Sequence, residues 1–464
     1  MAICAISTPT GIGGIAVIRV SGNDAISIVS KIFRPLNTKN TLLNRPPYSL
    51  TYGEIINPEN NETLDQVVIS LFRAPHSFTG EDVVEISCHG SLFIQQELLR
   101  ILMAQGCRMA QAGEFTQLAY LNGKLDLSQA EAVADLIAST SAASNRIAVQ
   151  QMKGGFSNKL AELREQLLNF TSLIELELDF SEEDVEFADR TQLQNLANEI
   201  EQTLQKLIHS FALGNVLKNG IPTAIVGETN VGKSTLLNFL LNDERALVSD
   251  IHGTTRDTIE DTVNIAGMVF RFIDTAGIRN TTDTVENMGI ERTFRKIEQA
   301  QIILWLIDAT KVSQQIDWLA DKFAPHTHDK KMIVVFNKMD KVSEQEQDVL
   351  REMFKPYAHI EQIFISAKEQ TNTDKLIEAL LQAAQIPDIA QGDIIVTNAR
   401  HHEALTHAHT AILQVINGLE MHISGDFLTM DVRECLHHLG LITGNEISPD
   451  EVLGNIFGRF CIGK

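Results

Sequence analysis

The sequence is poor in bases and in cysteine, and it has no long hydrophobic run. Against 60 acidic residues it sets only 38 lysines and arginines, a formal net charge of −22 over 464 residues. That balance excludes a broad basic face of the kind that grips nucleic acid or anionic lipid, so any RNA contact must be local or shared with a partner. The five cysteines, Cys4, Cys88, Cys107, Cys435 and Cys461, are scattered and form no C-x-x-C pair. Neither a zinc site nor a disulfide framework is indicated, and a reduced cytosolic compartment fits. No apolar run approaches the about 18 residues of a membrane span, and no basic segment followed by an apolar one opens the chain, so a soluble cytoplasmic protein is expected. Hydrophobic residues still make up 44% of the chain, ample for several cores, and the length suggests about three domains.

The stretch around which the chain is organised is Gly227-Glu-Thr-Asn-Val-Gly-Lys-Ser-Thr235, which fits the phosphate-binding pattern G-x-x-x-x-G-K-[ST]. A β-branched run, Thr223 to Val226, leads in, and a helical pattern, Leu236 to Leu241, follows. Gly227 and Gly232 let backbone N–H groups turn toward an anion, and the helix start adds its dipole. Lys233 supplies a point charge for the β- and γ-phosphates, and Ser234 a hydroxyl for Mg²⁺.

Three later strand ends complete a nucleotide site. Phe270 to Gly277 closes on D-T-A-G, whose Asp274 reaches Mg²⁺ through water while the Gly277 N–H meets a γ-phosphate. Val334 to Asp340 closes on N-K-x-D. Asp340 can accept from N1–H and the 2-amino group of guanine, donors that adenine lacks, and Asn337 and the Lys338 stem complete the pocket. Phe364 to Lys368 closes on S-A-K, which offers a backbone N–H to guanine O6. A site that reads a buried donor and acceptor pattern rejects a base lacking it, so the expected nucleotide is GTP.

Around this core the texture changes along the chain. The first ~120 residues are mixed α/β, with strands over 15–20, 66–72 and 83–87 and a helix over 92–103. Gly11-Ile-Gly-Gly-Ile-Ala16 satisfies G-x-G-x-x-[GA], but a strand pattern rather than a helix follows it, which argues against a dinucleotide site. From about Leu118 helices take over. Ser128 to Glu131 has the form of a capping box that opens a helix, Gly154-Gly155 separates that helix from one running from near Ser157 to about Asp179, and a further helix covers 193–217. Eight acids and no base fall between Glu175 and Asp189, the pattern of a solvated helix end. A hairpin turning at Ala266-Gly267 and a continuous apolar run, Gln301 to Ile307, belong to a doubly wound parallel sheet. After Pro387 helices return, over 399–421, 430–441 and 449–457. The expected domains are 1–118, 119–215, 216–383 and 384–464, with the nucleotide domain inserted between two helical blocks that pack together. The histidine patch from His401 to His409 lacks the i, i+4 pairing of zinc helices.

The whole length resembles the family of tRNA-modifying GTPases that install a carboxymethylaminomethyl group at C5 of wobble uridine. The likeness is carried by Thr8-Pro-Thr-Gly-Ile-Gly-Gly14, Ser77-Phe-Thr-Gly-Glu-Asp-Val83, His89-Gly90, Gly113-Glu-Phe115, Leu121 to Ala132, Gly253-Thr-Thr-Arg-Asp257 and Cys461-Ile-Gly-Lys464. The resemblance implies a folate-binding, dimerising N-terminal domain of mixed α/β fold, an all-α domain, and an inserted Ras-like G domain. It implies a homodimer, a flavin-dependent partner subunit, a tRNA substrate and a tetrahydrofolate one-carbon donor. Folate contacts carry over to Arg19, Glu85, Lys124 and Lys464.

The implied nucleotide contacts are Asn230, Val231, Gly232, Lys233, Ser234 and Thr235. To these it adds Ser249, Asp250, Ile251, His252, Gly253, Thr254 and Thr255, then Asp274, Thr275, Ala276 and Gly277. Asn337, Lys338, Met339 and Asp340 with Ser366, Ala367 and Lys368 would enclose the base. Ser234 and Thr255 would hold Mg²⁺. Asn230 and the carbonyls of Ser249, Ile251 and Thr254 would hold K⁺, which supplies positive charge where Ile278 follows D-T-A-G in place of a water-orienting Gln. Glu286 would orient the attacking water and Cys461 would act beside the folate and uridine. A ribosome-assembly GTPase and a purely regulatory switch share the nucleotide motifs. Against the first stand the lack of a G-x-x-G loop after residue 349 and only four Lys or Arg over 388–464. The folate-like N-terminal domain and the Cys461 tail argue against the second.

Overall fold

The computed structural model describes residues 1–9, 11–36, 41–179, 190–228, 230–242, 246–248, 261–273, 297–312, 330–355, 360–384, 394–444 and Gly463. These form two compact units. One comprises 1–137, 149–200 and 407–464; the other comprises 138–148 and 201–406.

The first unit opens on a seven-stranded sheet. Its strands are β1 (Ile3–Ile6), β2 (Gly13–Ser21), β3 (Phe33–Pro35), β4 (Ser49–Ile56), β5 (Thr63–Phe72), β6 (Val83–Gly90) and β7 (Arg108–Met109), in the order β3-β4-β5-β6-β2-β1-β7. All pairs are antiparallel except β1 with β7. Alternation sets the two faces. Ala16, Ile18 and Val20 on β2, Ile69 and Leu71 on β5, and Val84, Ile86 and Cys88 on β6 enter one core. Helices α1 (Ala25–Ile32) and α2 (Leu92–Ala104) close it with Ile28, Val29, Leu98 and Leu102. The other face therefore receives Arg19 and Glu85, which the register places directly opposite each other. All three strands and the 92–103 helix expected in this region are present.

Helices α3 (Glu114–Leu121), α4 (Leu127–Ala138), α5 (Ala142–Met152), α6 (Gly155–Asp179) and α7 (Arg190–Asn219) follow. The cap of α4 lies two residues earlier than its sequence suggests. Asp126 Oδ1 accepts from the Gln129 N–H at 2.9 Å and Gln129 Oε1 accepts from the Asp126 N–H at 2.9 Å. Both Asp126-x-x-Gln129 and Ser128-x-x-Glu131 fit the box pattern. Ser128 is instead inside the first turn, bonded to Asp126 and to Ser157 Oγ.

The second unit holds another seven-stranded sheet. Its strands are β8 (Ile221–Val226), β9 (Ala246–Val248), β10 (Asp261–Ile265), β11 (Met268–Phe272), β12 (Ile302–Asp308), β13 (Lys331–Asn337) and β14 (Glu361–Phe364), ordered β14-β13-β12-β8-β11-β10-β9. Five central and flanking strands run parallel, and β9 and β10 are antiparallel. Ala266 and Gly267 carry φ of 50° and 85°, the positive pair a two-residue hairpin needs between β10 and β11. Period 2 splits β12 between layers. Ile302, Leu304 and Leu306 join α8 (Lys233–Asn242) and α10 (Thr373–Ala384), whereas Ile303 meets Ile273 and Ile297 on the other side. Helix α9 (Glu344–Phe354) begins with a full capping box from Ser343 and Glu346.

The chain closes with α11 (Ala399–Glu420) and α12 (Gly425–Thr443). The second starts five residues before the expected Met430, because Ser424 and Gly425 open a turn that the apolar periodicity alone does not mark. Helices α12 and α6 pack against each other within the first unit. The acidic stretch 175–189 begins in the last turn of α6, and its 180–189 part and the helix expected over 449–457 lie outside the described residues.

Candidate functional site

The phosphate loop joins β8 to α8, where the parallel sheet presents its strand C-termini. Residues 221–226 form β8 because a β-branched apolar run buries on both faces, and α8 starts at Lys233 itself. Lys233 Nζ donates to the carbonyls of Gly227 at 2.7 Å and Glu228 at 2.6 Å, which hold the ammonium over the loop. Asn230 is exposed with φ +63°. Val231 is buried in the core below the loop. Gly232 has φ +102°, and a Cβ there would lie 2.2 Å from Asn337 Nδ2. Ser234 and Thr235 occupy the first turn of α8.

The base-reading loops converge on the same place. Asn337, 3% exposed at the end of β13, donates from Nδ2 to the Val231 carbonyl at 2.7 Å and accepts at Oδ1 from the Ala367 N–H at 2.9 Å. One side chain thus ties three motifs that are 106 and 30 residues apart. Lys338 takes a left-handed backbone, and its Nζ donates to the Asn230 carbonyl at 2.6 Å and to Asp308 Oδ2 at 2.7 Å. The Met339 N–H donates to the Ile365 carbonyl at 3.1 Å. Asp340 Oδ1 accepts from Ser366 Oγ at 2.6 Å, and that hydrogen bond holds its carboxyl below the usual range. Asp340 is then anionic at neutral pH, as acceptance from two guanine donors requires. Lys368 is exposed beside Glu369.

Asp308 was missed by motif reading. It is the last residue of β12, and only its place at the end of an apolar run marks it. Burial works to raise its pKa, but the Lys338 ammonium and the Thr310 hydroxyl and amide overcome that and hold the carboxyl below its ordinary value. Ser249, Asp250, Ile251, His252, Gly253, Thr254, Thr255, Asp274, Thr275, Ala276, Gly277 and Glu286 lie outside the described residues.

A second cluster forms on the opposite face of the first sheet, beside the buried Phe115. Arg19 donates from Nε at 3.0 Å and from Nη2 at 2.8 Å to Glu85 Oε1. The guanidinium lies 5.3 Å from the Phe78 ring centroid and 5.5 Å from that of Phe115, two neighbours that motif reading did not assign a role. The loop carrying Phe78 is anchored by Thr79, whose Oγ1 bonds Ser21 Oγ at 2.7 Å and whose carbonyl accepts from Asn122 Nδ2 at 2.7 Å. Lys124 Nζ donates to the Pro75 carbonyl at 2.9 Å. Gly463 reaches the same region. Its carbonyl accepts from Ser7 Oγ at 2.9 Å, and a Cβ on it would lie 2.0 Å from the Ile6 carbonyl. Ile6 is one residue along β1 from Ala5, the cross-strand partner of Arg19. Cys461 and Lys464 lie outside the described residues.

The histidine patch is used in packing. The His402 ring stacks on Phe211 with centroids 4.4 Å apart, and His407 stacks on His438 at 5.0 Å. Among the described residues no cluster of three His, Cys, Asp or Glu could hold a metal ion, and no helix is long and apolar enough to cross a membrane.

A phosphate loop whose floor is tied by an asparagine to N-K-M-D and S-A-K loops defines the class as a guanine-nucleotide-binding P-loop GTPase. The model of the GTP-binding protein TrmE N-terminus matches residues 2–124, and that of the MnmE helical domain matches residues 127–461. The tRNA modification GTPase MnmE of Bacteroides thetaiotaomicron is 59% identical over 464 residues, covering 100% of this chain and 99% of its own. That of Flavobacterium johnsoniae is 53% identical over 470 residues, again covering 100% and 99%. A crystal structure of Era in complex with MgGDPNP and a 16S ribosomal RNA segment shares 29% identity over 41% of this chain and 65% of its own, at a TM-score of 0.28, too partial to bear on function. The chain belongs to the MnmE family of tRNA modification GTPases.

Proposed function

We propose that this chain is a K⁺-activated GTP hydrolase that modifies C5 of the wobble uridine of certain tRNAs. With a flavin-dependent partner subunit it adds a carboxymethylaminomethyl group, drawing one carbon from a tetrahydrofolate. It works as a cytoplasmic homodimer. The observation that carries the reading is the pairing of two sites in one chain: a guanine-nucleotide loop and, on a separate unit, the Arg19–Glu85 cluster beside the Gly463 tail.

In this reading the Arg19–Glu85 cluster would receive the pterin of the cofactor. It offers guanidinium donors, a carboxylate acceptor and the partly exposed Phe78 ring within a few ångströms. Lys124 and Lys464 would meet the more distant anionic part of the cofactor, and Cys461 would stand beside the reacting carbon. In the nucleotide site Ser234 and Thr255 would hold Mg²⁺. Asn230 and the carbonyls of Ser249, Ile251 and Thr254 would hold K⁺, which offsets charge developing between the β- and γ-phosphates. Glu286 would orient the attacking water. The low count of basic residues leaves much of the tRNA grip to the partner subunit.

The test is mass analysis of the wobble uridine in tRNA from a strain lacking the gene. Complementation with the wild-type chain should restore the C5 modification, and complementation with Arg19→Ala should not. Restoration by neither, or full restoration by Arg19→Ala, would overturn the reading of the first site. Equal GTP turnover in K⁺ and Na⁺ would overturn the reading of the second.

A further inference from the structure

We infer that Asp308 is a positioning residue for the GTPase site. Its carboxylate fixes the Lys338 ammonium so that the guanine-reading loop and the phosphate loop are held together through the Asn230 carbonyl. The inference rests on reading N-K-M-D as the guanine pocket.

Three strand ends meet at Lys338. Asp308 closes β12, and its Oδ1 accepts from the Thr310 N–H at 3.0 Å and from Thr310 Oγ1 at 2.7 Å. Oδ2 is thereby turned to the Lys338 ammonium at 2.7 Å. The carboxylate side chain is 9% exposed and the lysine 27%, so the pair is only partly screened by water. The same ammonium donates to the Asn230 carbonyl at 2.6 Å. Lysine has a long flexible stem and a compact head, so one acceptor does not define its place. Two acceptors on different loops do.

Asn230 is left-handed, a conformation asparagine adopts at little steric cost, so sterics alone do not hold its peptide in one orientation. The Lys338 hydrogen bond does. If the charge on Asp308 is lost, the ammonium is free to turn to solvent and the phosphate loop loses this tie. The effect should be common to any purine nucleotide, because it acts through the loop and the lysine stem rather than through the base's exocyclic groups. Asp340 differs in this respect, since it reads those groups directly.

The experiment compares Asp308→Asn and Asp308→Glu with wild type in the full chain, using fluorescent GDP and fluorescent IDP. Asp308→Asn should bind both about tenfold more weakly, by the same factor, a loss of ~1.4 kcal/mol for each. The K⁺ concentration giving half-maximal GTPase rate should rise, while kcat at saturating GTP and K⁺ changes less than about threefold, the signature of lost ground-state binding. Asp308→Glu, which keeps the charge, should recover most of the affinity. Unchanged affinity in Asp308→Asn, a loss confined to GDP, or no recovery in Asp308→Glu would each overturn the inference. If Asp308→Asn does not fold, Lys338→Met keeps the stem and removes the ammonium. The same equal loss for the two nucleotides then supports the inference and an unequal loss overturns it. A wild-type chain that binds neither nucleotide would instead sink the underlying reading of the pocket.

Discussion

Gly232→Ala probes the joint between the phosphate loop and the base pocket. The added Cβ would lie 2.2 Å from Asn337 Nδ2, at a residue whose φ is +102°. A backbone at such an angle costs an L-alanine about 1–3 kcal/mol. Relief of the clash displaces the Asn337 amide from the Val231 carbonyl, now 2.7 Å away, and leaves a buried donor or acceptor unpaired for another ~1–3 kcal/mol. The strained contact lies in the phosphate loop and the base-reading loop, so the penalty is read as a loss of nucleotide affinity. A penalty of at least ~2 kcal/mol raises the dissociation constant for GDP by at least about thirtyfold. Titration with fluorescent GDP reads this directly, and thermal melting shows that both variants fold. Gly267→Ala is the control. Its φ is +85° but a Cβ there meets nothing within 4 Å, so only the β10–β11 turn is strained and GDP binding should stay within about twofold. A Gly232→Ala chain that binds GDP within about threefold of wild type would refute the claim that the Asn337 tie organises the site.

Three further outcomes are expected. Asp340→Asn keeps an acceptor for Ser366 Oγ but loses the anion facing guanine, so preference should move to xanthosine nucleotides; a competition assay that still favours guanine rejects the assignment. Glu286→Ala should lower kcat steeply and leave GTP affinity nearly intact, and the opposite split in steady-state kinetics would make Glu286 structural. Cys461→Ala should abolish wobble-uridine modification while K⁺-stimulated GTPase activity persists, because the nucleotide loop belongs to the other compact unit; normal modification in tRNA mass analysis rules out direct chemistry by this thiol.

The sequence by itself determined those features whose physics is local. A phosphate loop needs glycines, a lysine and a hydroxyl at fixed spacing between a strand and a helix, so residues 227–235 declare it without help from the rest of the chain. The same holds for the Ala266-Gly267 hairpin, where positive φ selects the residues, and for the apolar run of β12, which only a strand covered on both faces can carry. Even local patterns have limits. Two overlapping boxes satisfy the start of α4, and the bond from Ser128 to Ser157 helps select the earlier one. Contacts set by register and crossover were decided by the tertiary structure alone. Arg19 faces Glu85 because β2 and β6 pair in one register out of many, 66 residues apart. Asp308, Lys338 and Asn230 meet because parallel strands bring their C-terminal ends to one edge of the sheet, and no spacing in the chain announces that. Gly463 reaches Ser7 across 456 positions. Such contacts follow from the balance of many weak packing terms over the whole fold, which motif spacing does not encode.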